Sequence, residues 1–213
     1  MARTLFGPVV DPIFDEVAHE SVWGWLDGFV LRPHPELRRE GAVCPFVGPA
    51  IHQHTLVFRE RDLDRPLGRA SVVAGLRATV AEFRRTAWAG HNQTLQAMLV
   101  LLPRLTDEEA LLLDDGHAAI KDELVEQEIM MAPFHPLCRE TATRNPHLFA
   151  FRSPVPMVAI RNMAFHDIFF LTEKRAWFRR YSRRFGARYR RPERLDPLMV
   201  EHYRAAVRHY GEG

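Results

Sequence analysis

The sequence predicts a helix-rich α+β fold, a small sheet of three to five strands covered by helices and closed by a C-terminal helical pair. Three observations carry this. Apolar residues recur every three to four positions near both ends of the chain, the period of a half-buried helix. Two short runs, Thr55–Arg59 and Ala97–Leu102, have the length and apolar character of strands. The order of elements is α-β-α-β-α, then irregular chain with one or two further strands, then two helices. At 213 residues the chain suits a single domain, 1–213, with a core at about 11–171 and a basic helical extension at about 172–211.

Asp11-Pro12 reads as an N-cap followed by proline at the first helical position. Phe14, Ala18, Val22, Trp25 and Phe29 then share one face of a helix to about Leu31, which Pro33 and Pro35 end. Residues 33–54, rich in proline and glycine, read as a loop. Thr55–Arg59 follows as a strand, and the polar stretch 61–66 as a turn. Val72, Leu76, Val80, Phe83 and Ala87 mark a second helix that stops near Gly90. Ala97–Leu102, ended by Pro103, is continuously apolar and short, which predicts a buried strand. Thr106-Asp107-Glu108-Glu109 is a capping box, in which the hydroxyl takes the third helical N–H and Glu109 reaches back to Thr106. Its helix runs to about Glu128, with Gly116 a weak point, because mid-helix glycine costs about 1 kcal/mol against alanine. Pro133-Phe134-His135-Pro136 begins a loop. Ser153-Pro154-Val155-Pro156 leads into a short strand, Met157–Arg161, whose prolines confine its start to an edge or a loop. Ile168–Leu171 suits a last strand or the opening of a helix, and helices follow at 173–186 and 196–210.

Hydrophobic residues make up 46% and charged residues 26% of the chain, ordinary for a soluble globular protein. A chain of this length buries roughly 70% of its unfolded surface and needs no disulfide or structural metal to fold. No apolar run approaches the roughly 20 residues of a membrane span, and the first residues lack the apolar stretch of a secretory signal. Two cysteines are too few for a disulfide framework, so a reducing cytoplasm is the expected location. The net charge of +2 hides an asymmetry: residues 173–194 hold ten Lys or Arg against Glu173 and Glu193. Such a split suits an acidic protein partner. Trp177, Phe178, Tyr181 and Phe185 repeat at helical spacing within it, so the same residues also describe the solvated face of an amphipathic helix. Nucleic acid is not expected, since no helix-turn-helix, zinc finger or RNA-binding sheet signature accompanies the arginines. Dinucleotide, phosphate-loop and nucleophile-elbow motifs are absent too. Nothing in the pattern sets the oligomeric state.

The chemistry-bearing loop is His34–Phe46, where Cys44 precedes Pro45 and Phe46. Proline at 45 removes the N–H after the sulfur and fixes the chain direction, which presents the thiol outward. A stiff Cys-Pro unit of this kind suits an axial thiolate ligand to haem iron. Haem b is therefore the expected cofactor, with Cys44, Pro45 and Phe46 at the iron side and Arg161 or Arg39 at the propionates. Phe58 and the 97–102 strand would wall the porphyrin. A nucleophilic or redox thiol, or a small buried hydrophobe, are the alternative readings of Cys44. Histidines supply a second metal reading. His52-Gln53-His54 puts two imidazoles on one side of an extended chain. His135, His166 and Asp167 would complete a non-haem iron site of two histidines and a carboxylate.

Several segments together resemble a domain family of unknown function found in actinobacteria, often encoded near natural-product biosynthesis genes. The resemblance rests on His34-Pro35 with Gly41-x-Val43-Cys44-Pro45-Phe46, on Phe134-His135-Pro136, and on Ser153-Pro154-Val155-Pro156-Met157-x-x-Ile160-Arg161-x-Met163 followed by Asp167 and Phe170-Leu171. It covers roughly residues 30–175 and implies a biosynthetic setting. The leading expectation is a haem-thiolate enzyme of specialised metabolism that oxidises a small amine or amino-acid-derived substrate, with His135 or Asp167 moving the proton. The alternatives are a non-enzymatic protein whose basic C-terminal helices dock an acidic partner, and a non-haem iron enzyme.

Overall fold

A computed structural model describes residues 15–37 and 39–211. The expected Asp11-Pro12 cap and Phe14 lie outside the described residues. Those described form seven α-helices and one four-stranded sheet, a helix-rich α+β fold with a C-terminal helical pair. The chain divides into two compact units, Met1–Ile120 with Met131–Arg161, and Lys121–Met130 with Asn162–Gly213. The second unit joins a mid-chain segment to the C-terminal stretch.

The first unit is organised by the sheet. Its strands are β1 (Leu56–Glu60), β2 (Ala97–Leu101), β3 (Ile129–Phe134) and β4 (Met157–Asn162), in the order β1-β2-β4-β3. β1 and β2 run parallel, with Leu56 opposite Ala97 and Glu60 opposite Leu101, while β4 runs antiparallel to β2. The prolines before β4 fall in the preceding loop, so the strand sits inside the sheet rather than at its edge. β3 was not expected, because Pro133 sits within it; an edge position tolerates the missing N–H.

Helix α1 (Glu16–Trp25) is capped by Asp15, whose Oδ1 accepts the Ala18 N–H at 2.9 Å, and continues as a π-helical turn over Leu26–Val30. That turn shifts the buried stripe to Ala18, Val22, Leu26 and Val30, leaving Trp25 and Phe29 half-buried. With Leu101 and Met157 these form the core of the first unit, each full burial of such a side chain stabilising by about 1.5–3 kcal/mol. A short helix, α2 (Val47–His52), lies inside the stretch read as a loop. Its Pro49 falls in the first turn, where the missing N–H has no helical partner to lose. Helix α3 (Arg69–Arg85) buries Val72, Leu76, Val80 and Phe83 as the spacing predicts. The capping box opens α4 (Asp107–Ala110), and α5 (Leu112–Glu126) follows. Gly116 on α5 is no weak point: a Cβ there would stand 2.5 Å from Val72 Cγ1, so only glycine lets the two helices approach.

The second unit packs α6 (Arg175–Phe185) and α7 (Pro197–Tyr210) around a separate core. Trp177, Phe178 and Tyr181 are buried with Met163, Ile168, Leu171 and Met199, and a 3₁₀ helix occupies Phe165–Phe170 where a last strand was one of the expectations. The Tyr181 hydroxyl donates to the Phe165 carbonyl at 2.6 Å and lies 2.7 Å from that of Tyr189. Arg180 and Arg184 pair with Glu128, and Lys174 with Asp122. Arg175, Arg179 and Arg183 are exposed and carry no partner among the described residues.

Candidate metal centre

Strand β3 ends at Phe134, and Pro136 turns the chain. The Cys138 N–H donates to the His135 carbonyl at 3.1 Å, closing a β-turn with proline at its second position. His135 and Cys138 thereby sit three residues apart with both side chains fully buried. Helix α5 brings Asp114 to them. The ligand atoms of Asp114, His135 and Cys138 all lie within 4.8 Å of one another, a grouping that no other three His, Cys, Asp or Glu among the described residues achieve. Around one tetrahedral ion, bonds of about 2.0–2.3 Å put ligand atoms roughly 3.3–3.8 Å apart. The cluster needs about 1 Å of contraction to close on a metal.

His135 Nε2 stands 3.2 Å from Asp114 Oδ2. The carboxylate accepts only, so the neutral ring carries its proton on Nε2 and Nδ1 keeps the lone pair. That Nδ1 is buried with no hydrogen-bond partner, and an orphaned buried acceptor costs about 1–3 kcal/mol. Carboxylate on one ring nitrogen and metal on the other is a recurrent arrangement of metal-ligating histidine. Burial pushes the Cys138 thiol up; the Glu140 amide bonded to it pulls it down, Asp114 adds to the rise and Arg152 opposes it. The Arg152 Nε donates to the Cys138 carbonyl at 3.1 Å, holding the turn. A cation in the cluster would reverse the sulfur's preference and take it as thiolate.

The expected site residues fall in several places. Cys44 is half-buried, its N–H donating to Val30 O at 3.0 Å, and it packs against the first-unit core. Arg39 clasps this loop, donating to the carbonyls of Glu40, Ala42 and Val43 at 2.8–2.9 Å. Pro45 is exposed, and the Arg161 guanidinium lies 5.1 Å from the centre of the Phe46 ring. His52 and His54 are exposed at the end of α2 and join no ligand group with His135 among the described residues. Asp167 is buried in the second unit, where its Oδ2 accepts the Ala164 N–H at 2.6 Å and caps the 3₁₀ helix; His166 beside it is exposed. Asp114 and Cys138 were not among the expected residues. The one local signal was His135-Pro136-Leu137-Cys138, two ligand types three apart across a proline turn.

Set against known proteins, the family model for a domain of unknown function, DUF6875, matches residues 19–196. The chain belongs to this family. The matched span of the DUF6875 domain contains the Asp114–His135–Cys138 cluster and the Cys44 loop, while α7 lies beyond it. No curated protein and no solved structure matches the chain. No helix among the described residues is long and apolar enough to cross a membrane.

Proposed function

We propose that this DUF6875 protein holds one divalent transition-metal ion on His135 and Cys138, with Asp114 orienting the imidazole, and acts on a small molecule as a metal-dependent enzyme. The observation that carries this reading is the buried His135 ring, oriented by Asp114 through Nε2, left with a partnerless Nδ1, and grouped with a buried cysteine. Imidazole and thiolate together suit Zn2+ or Fe2+, and two protein ligands leave coordination positions open. A bound ion would supply an acidified water or a Lewis-acid centre. Asp114, whose side chain is 41% exposed, marks the side from which an ion reaches the cluster.

The same three residue types also make nucleophilic triads, but the sulfur argues against that role. Cys138 has no exposed surface and burial pushes its thiol up, whereas an attacking thiol needs access and a lowered pKa. The test is metal content and Co2+ substitution of the purified protein. One equivalent of Co2+ is expected to produce a thiolate-to-cobalt charge-transfer band that Cys138→Ser removes and Cys44→Ser keeps. A folded protein that takes up no stoichiometric Zn2+, Fe2+ or Co2+ overturns the proposal.

A second reading rests on Cys44. In the same unit, Trp25, Phe29, His34, Phe134 and Phe151 form a run of half-buried rings in mutual contact, with centroids 5.0–6.3 Å apart. That face suits a planar prosthetic group, which favours haem b on the Cys44 thiolate in an oxidative enzyme of specialised metabolism. Arg161, 5.1 Å from the Phe46 ring centre, would meet the propionates, while Arg39 serves three carbonyls. A Soret band lost in Cys44→Ala supports this reading, and a colourless preparation grown with iron and haem precursor ends it. The unpartnered row Arg175, Arg179 and Arg183 supports docking of an acidic protein, read out as salt-sensitive co-purification. Both cysteines are free, which fits a cytoplasmic setting.

A further inference from the structure

We infer that the protein carries a second, separate ligand site, an oxyanion pocket at the carboxyl ends of β1 and β2 built on Arg61, Arg65 and Arg104. The two strands are parallel neighbours and end level, Glu60 opposite Leu101. The chain leaves both at the same rim, so Arg61 and Arg104 emerge side by side; Arg61 extends the ladder by one bond, its N–H donating to Leu101 O at 3.0 Å. The rim outside the carboxyl ends of adjacent parallel strands is where open sheets bind ligands.

A cavity of about 230 Å³ lies there, lined by the three arginines, Asp62 and three leucines. Its lining carries three guanidinium groups against one carboxylate. Each arginine has a protein partner, but two keep donors in hand. Arg61 gives Nη2 to Glu82 at 2.5 Å, and its Nε is buried with no partner. Arg104 gives Nη1 to Asp62, which leaves the rest of its fork. Arg65 is committed, both terminal nitrogens meeting Glu109 at 2.7 and 3.2 Å, and it steadies the Arg104 carbonyl at 3.5 Å. Arginine forks match the oxygens of phosphate, sulfate and carboxylate. The volume is below the roughly 300–1,000 Å³ of a site that encloses a drug-sized ligand. It suits a free oxyanion or the anionic end of a larger molecule whose body stays outside.

The test is calorimetric titration of the whole protein with inorganic phosphate, pyrophosphate and malonate at constant ionic strength. Saturable phosphate binding is expected, weakened about tenfold or more by Arg104→Gln, a side chain 56% exposed whose loss spares the core. Arg61→Lys keeps a charge for Glu82 but loses the enclosed Nε donor, and is expected to weaken binding while circular dichroism stays unchanged. Tighter binding of pyrophosphate than of phosphate assigns the site to the anionic end of a larger ligand, and equal binding to the free ion. Cys138→Ser is expected to leave phosphate affinity unchanged, which separates this site from the metal cluster. No saturation with phosphate, pyrophosphate or malonate, or an affinity that ignores both arginine variants, overturns the inference.

Discussion

His135 Nε2 and Asp114 Oδ2 meet at 3.2 Å across 21 residues of chain, joining the turn after β3 to the first turn of α5. The imidazole is enclosed and the carboxylate is open to solvent. One residue therefore fixes the ring's direction while the other nitrogen waits without a donor.

Asp114→Asn keeps the shape of this pair and removes its charge. Metal affinity is expected to fall 10–100-fold, the usual cost of losing a partner that orients a ligating histidine. Competition against a chromophoric chelator measures it. An affinity equal to wild type would show that the carboxylate neither ligates nor orients.

Thiol chemistry separates the two cysteines. Cys44 is half-buried and Cys138 fully buried, so a disulfide reagent is expected to label one thiol quickly in the native protein and both in denaturant. Added Zn2+ should slow labelling of Cys138 further and leave Cys44 unchanged. Equal rates at both sulfurs contradict the burial.

Alkaline pH should unfold the second unit first. Burial raises the phenol of Tyr181 far above its ordinary value of 10, and Tyr189 is pushed up to about 12 by burial against the opposing Tyr181 hydrogen bond. Groups whose folded pKa is raised stabilise fully below the unfolded value and lose that contribution as pH climbs through the folded one. Stability is thus expected to be complete below pH 10 and to fall from there through about 12, with Tyr189→Phe flattening the slope. Urea midpoints paired with tyrosinate absorbance read this out. All four tyrosines ionising together near 10 in a folded chain would refute it.

Gly116→Ala pits two effects against each other. Alanine is better by about 1 kcal/mol as a helix former. The new Cβ would stand 2.5 Å from Cγ1 of the buried Val72, and overpacking costs typically 1–3 kcal/mol. A net loss of stability is expected, measured by urea unfolding; a gain would mean that α3 yields.

Much of this fold was legible locally. The Thr106–Glu109 box predicts a helix start because both of its hydrogen bonds are made within four residues, and the apolar rhythm of α3 needs only its own period. β3 was not legible, since Pro133 argues against a strand until the neighbouring strand shows it to be an edge. The cluster was legible only in part. His135 and Cys138 share a turn, but Asp114 arrives from another element, and no spacing in the sequence encodes that meeting. Cys44 drew attention through Pro45, yet its surroundings depend on a clasp by Arg39 whose acceptors are backbone carbonyls, invisible to residue type.

Pro133 has one more effect. Among the described residues β3 is the outer strand on its side of the sheet, the rim through which a second chain could append itself. Pro133 puts a residue with no N–H to give on that strand. Proline on an outer strand is one of the devices that discourage growth by strand addition.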